Sequence, residues 1–309
     1  MLIEMLARTT SFDLDRLSRI SMTASRRYKI YTIPKRTGGV RTIEHPSREL
    51  KAIQRWIIKA LFAKFPVHES ATAYRKGFGI RENALRHKQT SYTNRYDFAD
   101  FFPSFQQSSV EKFLALQAKI LQIDLSPLDI RFVGNVVCRN QRLTIGAPSS
   151  PAITNAMMFK FDENLNNSCE SDKLIYTRYA DDIFVSSNEP NKLFDVEVRI
   201  ENAHRGIDYL SLELKNEKTA ILSRKYARKV AGVVITPTHN LSIGRERKRE
   251  IKALVHSWSV GALEKDRFAY LRGLLAFARD IEPDFERRLR AKYGDPTIDR
   301  LLFAPDLYA

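Results

Sequence analysis

The sequence predicts an α+β fold, and three observations carry that expectation. Two strand-like runs, Leu174 to Arg178 and Ile183 to Ser187, flank the tetrapeptide Tyr179-Ala180-Asp181-Asp182. A helical stripe of Leu50, Ile53, Ile57, Leu61 and Phe62 runs through Pro46 to Phe65. Near the other end, Ile251, Leu254, Val255 and Trp258 repeat at the same helical spacing. With 309 residues, 43% of them hydrophobic, the chain can bury one large core or two small ones.

In chain order, residues 11–26 form the first expected helix, with Ser11 as its cap before Phe12, Leu14, Leu17 and Ile20. Tyr28 to Pro34 and Val40 to Ile43 read as strands joined through Thr37-Gly38-Gly39, a hairpin by its turn chemistry. Lys35, Arg36 and Arg41 flank that turn, either as charges guarding an edge strand or as a grip on phosphates. After the Pro46 to Phe65 helix, the aromatic run Tyr96 to Phe102 suits a buried strand, interrupted by Asp97 and Asp100. The two runs around Ala180 form a hairpin with both carboxylates at its tip. Thr236-Pro237 breaks the pattern, and Gly244-Arg245-Glu246-Arg247-Lys248-Arg249 opens a final helical region.

A lone Asp-Asp turn is ordinarily just solvated. Here Asp181 and Asp182 sit between β-branched and aromatic strands, where unpaired carboxylates are costly to bury, and Asp97 interrupts a second such run. Hard divalent cations take carboxylate oxygens together with phosphate-bearing substrates, so three acids in this setting point to metal-assisted phosphoryl transfer.

Charge is distributed unevenly. Of the net +15, residues 26–95 contribute most, with 17 Lys+Arg against 4 Asp+Glu, whereas residues 96–236 hold 17 against 18. A basic lobe beside a near-neutral lobe bearing the carboxylates suits a nucleic-acid polymerase, because phosphate contacts supply affinity and metal ions supply charge at the reaction centre. Cys138 and Cys169 have no companion at metal spacing and read as ordinary thiols in a reducing compartment. No apolar run reaches the ~18 residues of a membrane span and no signal peptide is visible, so a cytoplasmic protein is expected.

The segment Asp97 to Phe102 and the Tyr179-Ala180-Asp181-Asp182 box together resemble the palm of a reverse transcriptase. Wording elsewhere narrows the resemblance to bacterial retron reverse transcriptases: Pro46-Ser47-Arg48-Glu49-Leu50-Lys51-Ala52-Ile53-Gln54, Asn83-Ala84-Leu85-Arg86-His87, Gly146 through Asn155, and Val230-Ala231-Gly232. Two positions depart from the family pattern. Ile145 stands where many members have Gln, and Ala231 replaces a threonine, so the contacts of those side chains are not carried over.

The resemblance implies a right-hand polymerase: a helical lead over 1–27, fingers over 28–95, palm over 96–236 and a helical thumb over 237–309. It assigns Asp97, Asp181 and Asp182 to catalysis and to two Mg²⁺ ions. Lys35, Arg36 and Arg41 would grip the incoming dNTP, with Phe102 beneath its sugar; Lys218 is either a general acid or counter-charge at the leaving phosphates or an exposed turn lysine. Asn83, His87, Arg245, Arg247, Lys248 and Arg249 are expected RNA contacts. The implied activity is DNA synthesis on a structured non-coding RNA, primed from a 2′-hydroxyl to give a branched RNA–DNA product (msDNA), in anti-phage defence. Implied partners are that RNA and its DNA product, a separately encoded effector such as an ATPase with a nuclease, and a host RNase H. An intron-type enzyme would not be expected to show Asn83 to His87 together with Val230 to Gly232, and a mere RNA-binding scaffold has no need of three costly acids.

Overall fold

The computed structural model describes residues 1–35, 38–215, 219–225 and 228–303. The chain opens with two helices, Leu2–Thr9 and Leu14–Thr23. The lead is thus two helices, and the cap of the second is Asp13 rather than Ser11: the Asp13 carboxylate accepts from the Arg16 amide at 2.7 Å. Leu2, Leu6, Leu17 and Ile20 turn inward from this pair.

Strands β1 (Tyr28–Pro34) and β2 (Val40–Pro46) form a separate antiparallel hairpin, with Tyr28 opposite Pro46 and Pro34 opposite Val40. Nearly all of β1 is solvent-exposed, so the hairpin projects from the body and is held at its base. There the Glu44 amide donates to the Ile145 carbonyl at 2.8 Å. Gly146 permits that approach. Its φ is +115°, and a Cβ would stand 2.9 Å from both the Glu44 carbonyl oxygen and the Ile43 side chain.

The helix after the hairpin spans Arg48–Ala60, where the Ser47 hydroxyl accepts from the Leu50 amide and Leu50, Ile53 and Ile57 are fully buried. Its stripe joins the main core, shared with the helices Gln107–Ile120, Pro127–Val137, Ser150–Met157 and Phe159–Glu170. These helices cover a four-stranded antiparallel sheet ordered β4-β5-β3-β6, from β3 (Tyr92–Asp97), β4 (Ile175–Tyr179), β5 (Asp182–Ser187) and β6 (Ala220–Ser223). The aromatic run after β3 does not continue as strand. Asp100 takes a left-handed φ of +40° and Phe101–Ser104 forms a helical turn, which ends the strand at Asp97.

A three-stranded sheet of β7 (Arg228–Val230), β8 (Val233–Ile235) and β9 (Leu241–Ser242) leads into helices Arg245–Ser259, Lys265–Ile281, Pro283–Tyr293 and Asp295–Phe303. Val230, Val233, Ile251, Val255, Leu271 and Leu275 build a second core there, to which Ala84 and Phe184 also contribute. Cys138 and Cys169 are buried free thiols whose pKa values burial pushes up, which keeps them protonated and unreactive. Among the described residues no helix is long and apolar enough to cross a membrane.

Candidate active site

β3 and β5 pair so that Asp97 lies directly opposite Asp182, and β4 and β5 pair so that Tyr179 lies opposite Asp182. Ala180 and Asp181 are therefore the two central residues of a tight hairpin. Ala180 adopts φ +57°, a conformation usually left to glycine, which costs on the order of 1 kcal/mol or more in an L-residue. The turn is anchored by its backbone. The Phe98 amide donates to the Asp181 carbonyl at 3.2 Å, and the Lys215 amide to the Asp97 carbonyl at 2.7 Å. Strand register and turn together bring the three expected acids to one end of the sheet.

That end opens into a cleft of about 470 Å³. Lys35, Val40 and Arg41 reach it from the β1–β2 hairpin; Asp97, Phe102 and Asp181 line it from the sheet side. Arg36 and Lys218, the other two expected nucleotide contacts, lie outside the described residues. Phe102 is half-buried, its ring packed edge-on to Phe101 at 5.4 Å and tilted against Tyr74 at 6.4 Å.

Residues of this cleft that sequence reasoning missed include Glu44, Tyr74, Arg142, Thr144 and Lys215. Arg142 and Lys215 add positive charge to its wall. Tyr74 carries φ +61° and sits in the field of Asp181 and Arg41; burial raises its phenol above the ordinary value, Asp181 and Tyr179 push the same way, and Arg41 opposes them. Nothing in the local pattern around Tyr74 announces a left-handed aromatic, although the two arginines of Arg139-Asn140-Gln141-Arg142 shortly before Gly146 were a visible signal.

All three acids offer hard oxygen donors, a ligand chemistry that fits Mg²⁺. Among the described residues, no group of three or more acidic, histidine or cysteine side chains is preassembled around one cation position. The donor set suits an ion that brings water and substrate phosphates as its remaining ligands.

Two expected RNA contacts are corrected. Asn83 and His87 are fully buried. His87 engages Ser186 Oγ through Nδ1 at 2.6 Å and Thr177 Oγ1 through Nε2 at 2.7 Å, while the Asn83 side-chain oxygen accepts from Thr72 Oγ1 at 3.2 Å. His87 fastens the end of the helix Ile80–Arg86 to β4 and β5, Asn83 ties the same helix to Thr72, and neither presents an atom to a ligand at the surface. Burial, with Arg228 and Arg86 nearby, lowers the His87 pKa from 6.5 to about 3. The unfolded chain thus takes up this proton more readily than the folded one, so the stability tied to neutral His87 is complete above about pH 6.5 and declines as pH falls towards 3. By pH 5 that loss amounts to ~2 kcal/mol. Urea midpoints of the wild type and His87→Gln at pH 7 and pH 5 check this: the variant should show the flatter pH dependence, and parallel slopes would count against it.

The basic turn at the start of helix Arg245–Ser259 divides into two pairs. Arg247 donates to the Gly232 carbonyl at 3.0 Å and lies over the Phe277 ring, and Lys248 pairs with Glu282 at 2.7 Å. Both are thereby used to hold the helix entrance to β7–β9 and to its neighbouring helices. Arg245 and Arg249 are exposed.

Residues 33–257 match the family described as reverse transcriptase (RNA-dependent DNA polymerase). The chain is 37% identical over 279 residues to the Retron Ec83 reverse transcriptase of Escherichia coli, covering 88% of each. It is 30% identical over 304 residues to the Retron Ec86 reverse transcriptase of the same species, covering 96% of this chain and 91% of the relative. In fold it is similar to apo telomerase from Candida tropicalis (TM-score 0.50, 12% identity, 90% of this chain and 58% of that one). A foamy viral protease-reverse transcriptase in complex with double-stranded DNA gives the same TM-score of 0.50 at 15% identity, covering 89% of this chain and 43% of that one.

Proposed function

Because the chain belongs to the bacterial retron reverse transcriptases, RNA-directed DNA polymerases of the right-hand fold, we propose that Asp97, Asp181 and Asp182 form its catalytic centre and that the cleft above them receives the incoming dNTP. The observation that carries this reading is the convergence in one cleft of Asp97 and Asp181, hairpin cations and an aromatic floor. The three carboxylates would hold two Mg²⁺ ions, whose chemistry is to acidify the attacking hydroxyl and to neutralise charge on the leaving pyrophosphate. Lys35 and Arg41 bind the triphosphate from the hairpin side, Arg142 and Lys215 extend that positive wall, and the Phe102 ring supports the sugar. A ring in that place excludes a 2′-hydroxyl. Phe102→Val should therefore raise rNTP incorporation relative to dNTP by about tenfold or more, on the order of the discrimination that one steric contact supplies. An unchanged ratio of the two kcat/KM values would show that Phe102 only packs.

The substrate is proposed to be a structured non-coding RNA, copied from a 2′-hydroxyl primer into branched RNA–DNA, in a phage-defence system that includes a separately encoded effector and host RNase H. Family membership and the basic segment 26–95 support this reading. Since Asn83 and His87 are internal and Arg247 and Lys248 are engaged, Arg245 and Arg249 remain as the thumb-side phosphate contacts. Sequencing the nucleic acid that co-purifies with the protein tests the proposal. A single RNA species covalently joined to complementary DNA is expected, and a heterogeneous pool of host transcripts would refute it.

A further inference from the structure

Beneath the carboxylate turn lies an ion pair with no exposure to solvent. Arg178 and Asp162 are each 0% exposed and meet in a bidentate fork, Nε to Oδ1 at 2.8 Å and Nη2 to Oδ2 at 2.6 Å, while the Tyr176 hydroxyl donates to Oδ1 at 2.6 Å. The remaining arm of the guanidinium, Nη1, points the other way. It donates to the Ala180 carbonyl at 3.1 Å, inside the turn, and to the Asn155 side-chain oxygen at 3.3 Å. Asn155 in turn donates to the Ala73 carbonyl at 2.9 Å, and the Arg178 backbone exchanges hydrogen bonds with Ser70 and Thr72. One side chain thus ties together the Asp181-Asp182 turn, the end of the Gly146 to Asn155 segment and the stretch that carries Tyr74 into the cleft.

Two features separate this arrangement from a merely stabilising contact. A buried ion pair is commonly replaceable by apolar side chains of similar volume without loss of stability, so fold stability alone does not call for one here. The network also reaches Ala180, an L-residue at φ +57°, and the Ala73 carbonyl directly before Tyr74, an L-residue at +61°, and strained backbone persists only where its surroundings over-determine it. Burial alone would weaken the positive charge on Arg178. The Asp162 carboxylate and the Tyr176 hydroxyl outweigh it and keep the guanidinium charged and donating.

We propose that Arg178 is a positioning residue for catalysis: oriented by Asp162, it fixes the Ala180 carbonyl and Asn155, and thereby sets the Asp181-Asp182 carboxylates and the Tyr74 ring in their working geometry. This rests on the reading of Asp97, Asp181 and Asp182 as the catalytic acids. Lysine in place of Arg178 retains the charge facing Asp162 and lacks the fork that also reaches Ala180 and Asn155. The pair Asp162→Leu with Arg178→Met removes both charges and leaves the two acceptors without their donor.

Primer extension by the full chain on a primed RNA template, with kcat expressed per folded molecule from far-UV circular dichroism, distinguishes the roles. Arg178→Lys should leave KM for dNTP within about twofold and lower kcat by ~10-fold or more, the scale expected from a sub-ångström displacement of reacting groups. In the double variant, thermal stability should return towards wild type while kcat stays low. Wild-type kcat per folded molecule in Arg178→Lys, or joint recovery of stability and kcat in the double variant, overturns the proposal. Asp181→Asn, assayed alongside, separates the two levels: if it remains active the carboxylate reading itself falls, and if it is inactive while Arg178→Lys is unimpaired only the positioning role is lost.

Discussion

Asp181→Asn is expected to abolish DNA synthesis while leaving the fold intact. The side chain sits in a two-residue turn whose carbonyls are held, that of Asp181 by the Phe98 amide and that of Ala180 by the Arg178 guanidinium. None of these uses the carboxylate. Asparagine is nearly isosteric, so what changes is one negative charge at the mouth of the cleft, where cations and a developing oxyanion would need it. Loss of one electrostatic anchor of a transition state costs ~3–4 kcal/mol, or 10²–10³ in rate, and a metal ligand can cost more. Primer extension on an RNA template measures the rate and a urea melt the stability. Activity within tenfold of wild type in a folded variant would remove Asp181 from the catalytic centre.

The second large effect is expected far from the acids in sequence. Gly146→Ala places a methyl group 2.9 Å from the Glu44 carbonyl and from Ile43, at a φ of +115° that an L-residue rarely adopts. Strain of this kind costs ~1–3 kcal/mol before any clash is counted, and relief requires β2 to move away from Ile145. That movement carries Arg41 and Lys35 out of the cleft, so KM for dNTP should rise by about tenfold while kcat falls less. Denaturation midpoints and steady-state kinetics on the same preparation read both halves. A stable variant with unchanged KM would mean that the hairpin base tolerates the shift.

These expectations show which kinds of information a sequence carries. Local periodicity located the β1–β2 hairpin, the inward stripe of Leu50, Ile53 and Ile57, and the strands around the Asp181-Asp182 tip, because each is a contiguous pattern read against one partner surface. The acids at the cleft were legible for a related reason, since carboxylates inside apolar strand sequence contradict their surroundings. What was misread depends on tertiary context. Phe98 to Phe102 has strand composition, yet the chain turns at the left-handed Asp100 and continues from Phe101 as a helical turn. Asn83 and His87 look like surface polar residues until the sheet hydroxyls of Thr177 and Ser186 are placed beside the His87 ring. The Arg178–Asp162 pair joins residues on a strand and a helix, and no spacing rule within either element marks it.

The projecting hairpin also has a mechanical meaning. From the Glu44–Ile145 contact, which fixes it to the body, the hairpin extends five paired residues to Pro34 and Val40, an arm roughly 17 Å long closed at its far end by the Lys35–Gly39 backbone hydrogen bond. Such an arm multiplies angle into displacement. A tilt of only about 10° at the base sweeps the tip through roughly 3 Å, comparable to the difference between a salt bridge and a solvent-separated pair. Small adjustments where Gly146 meets β2 are thereby geared up at Lys35 and Arg41, so the placing of these two cations over the cleft depends on the stiffness of a joint, Glu44 on Ile145, that is built into the cleft's own wall.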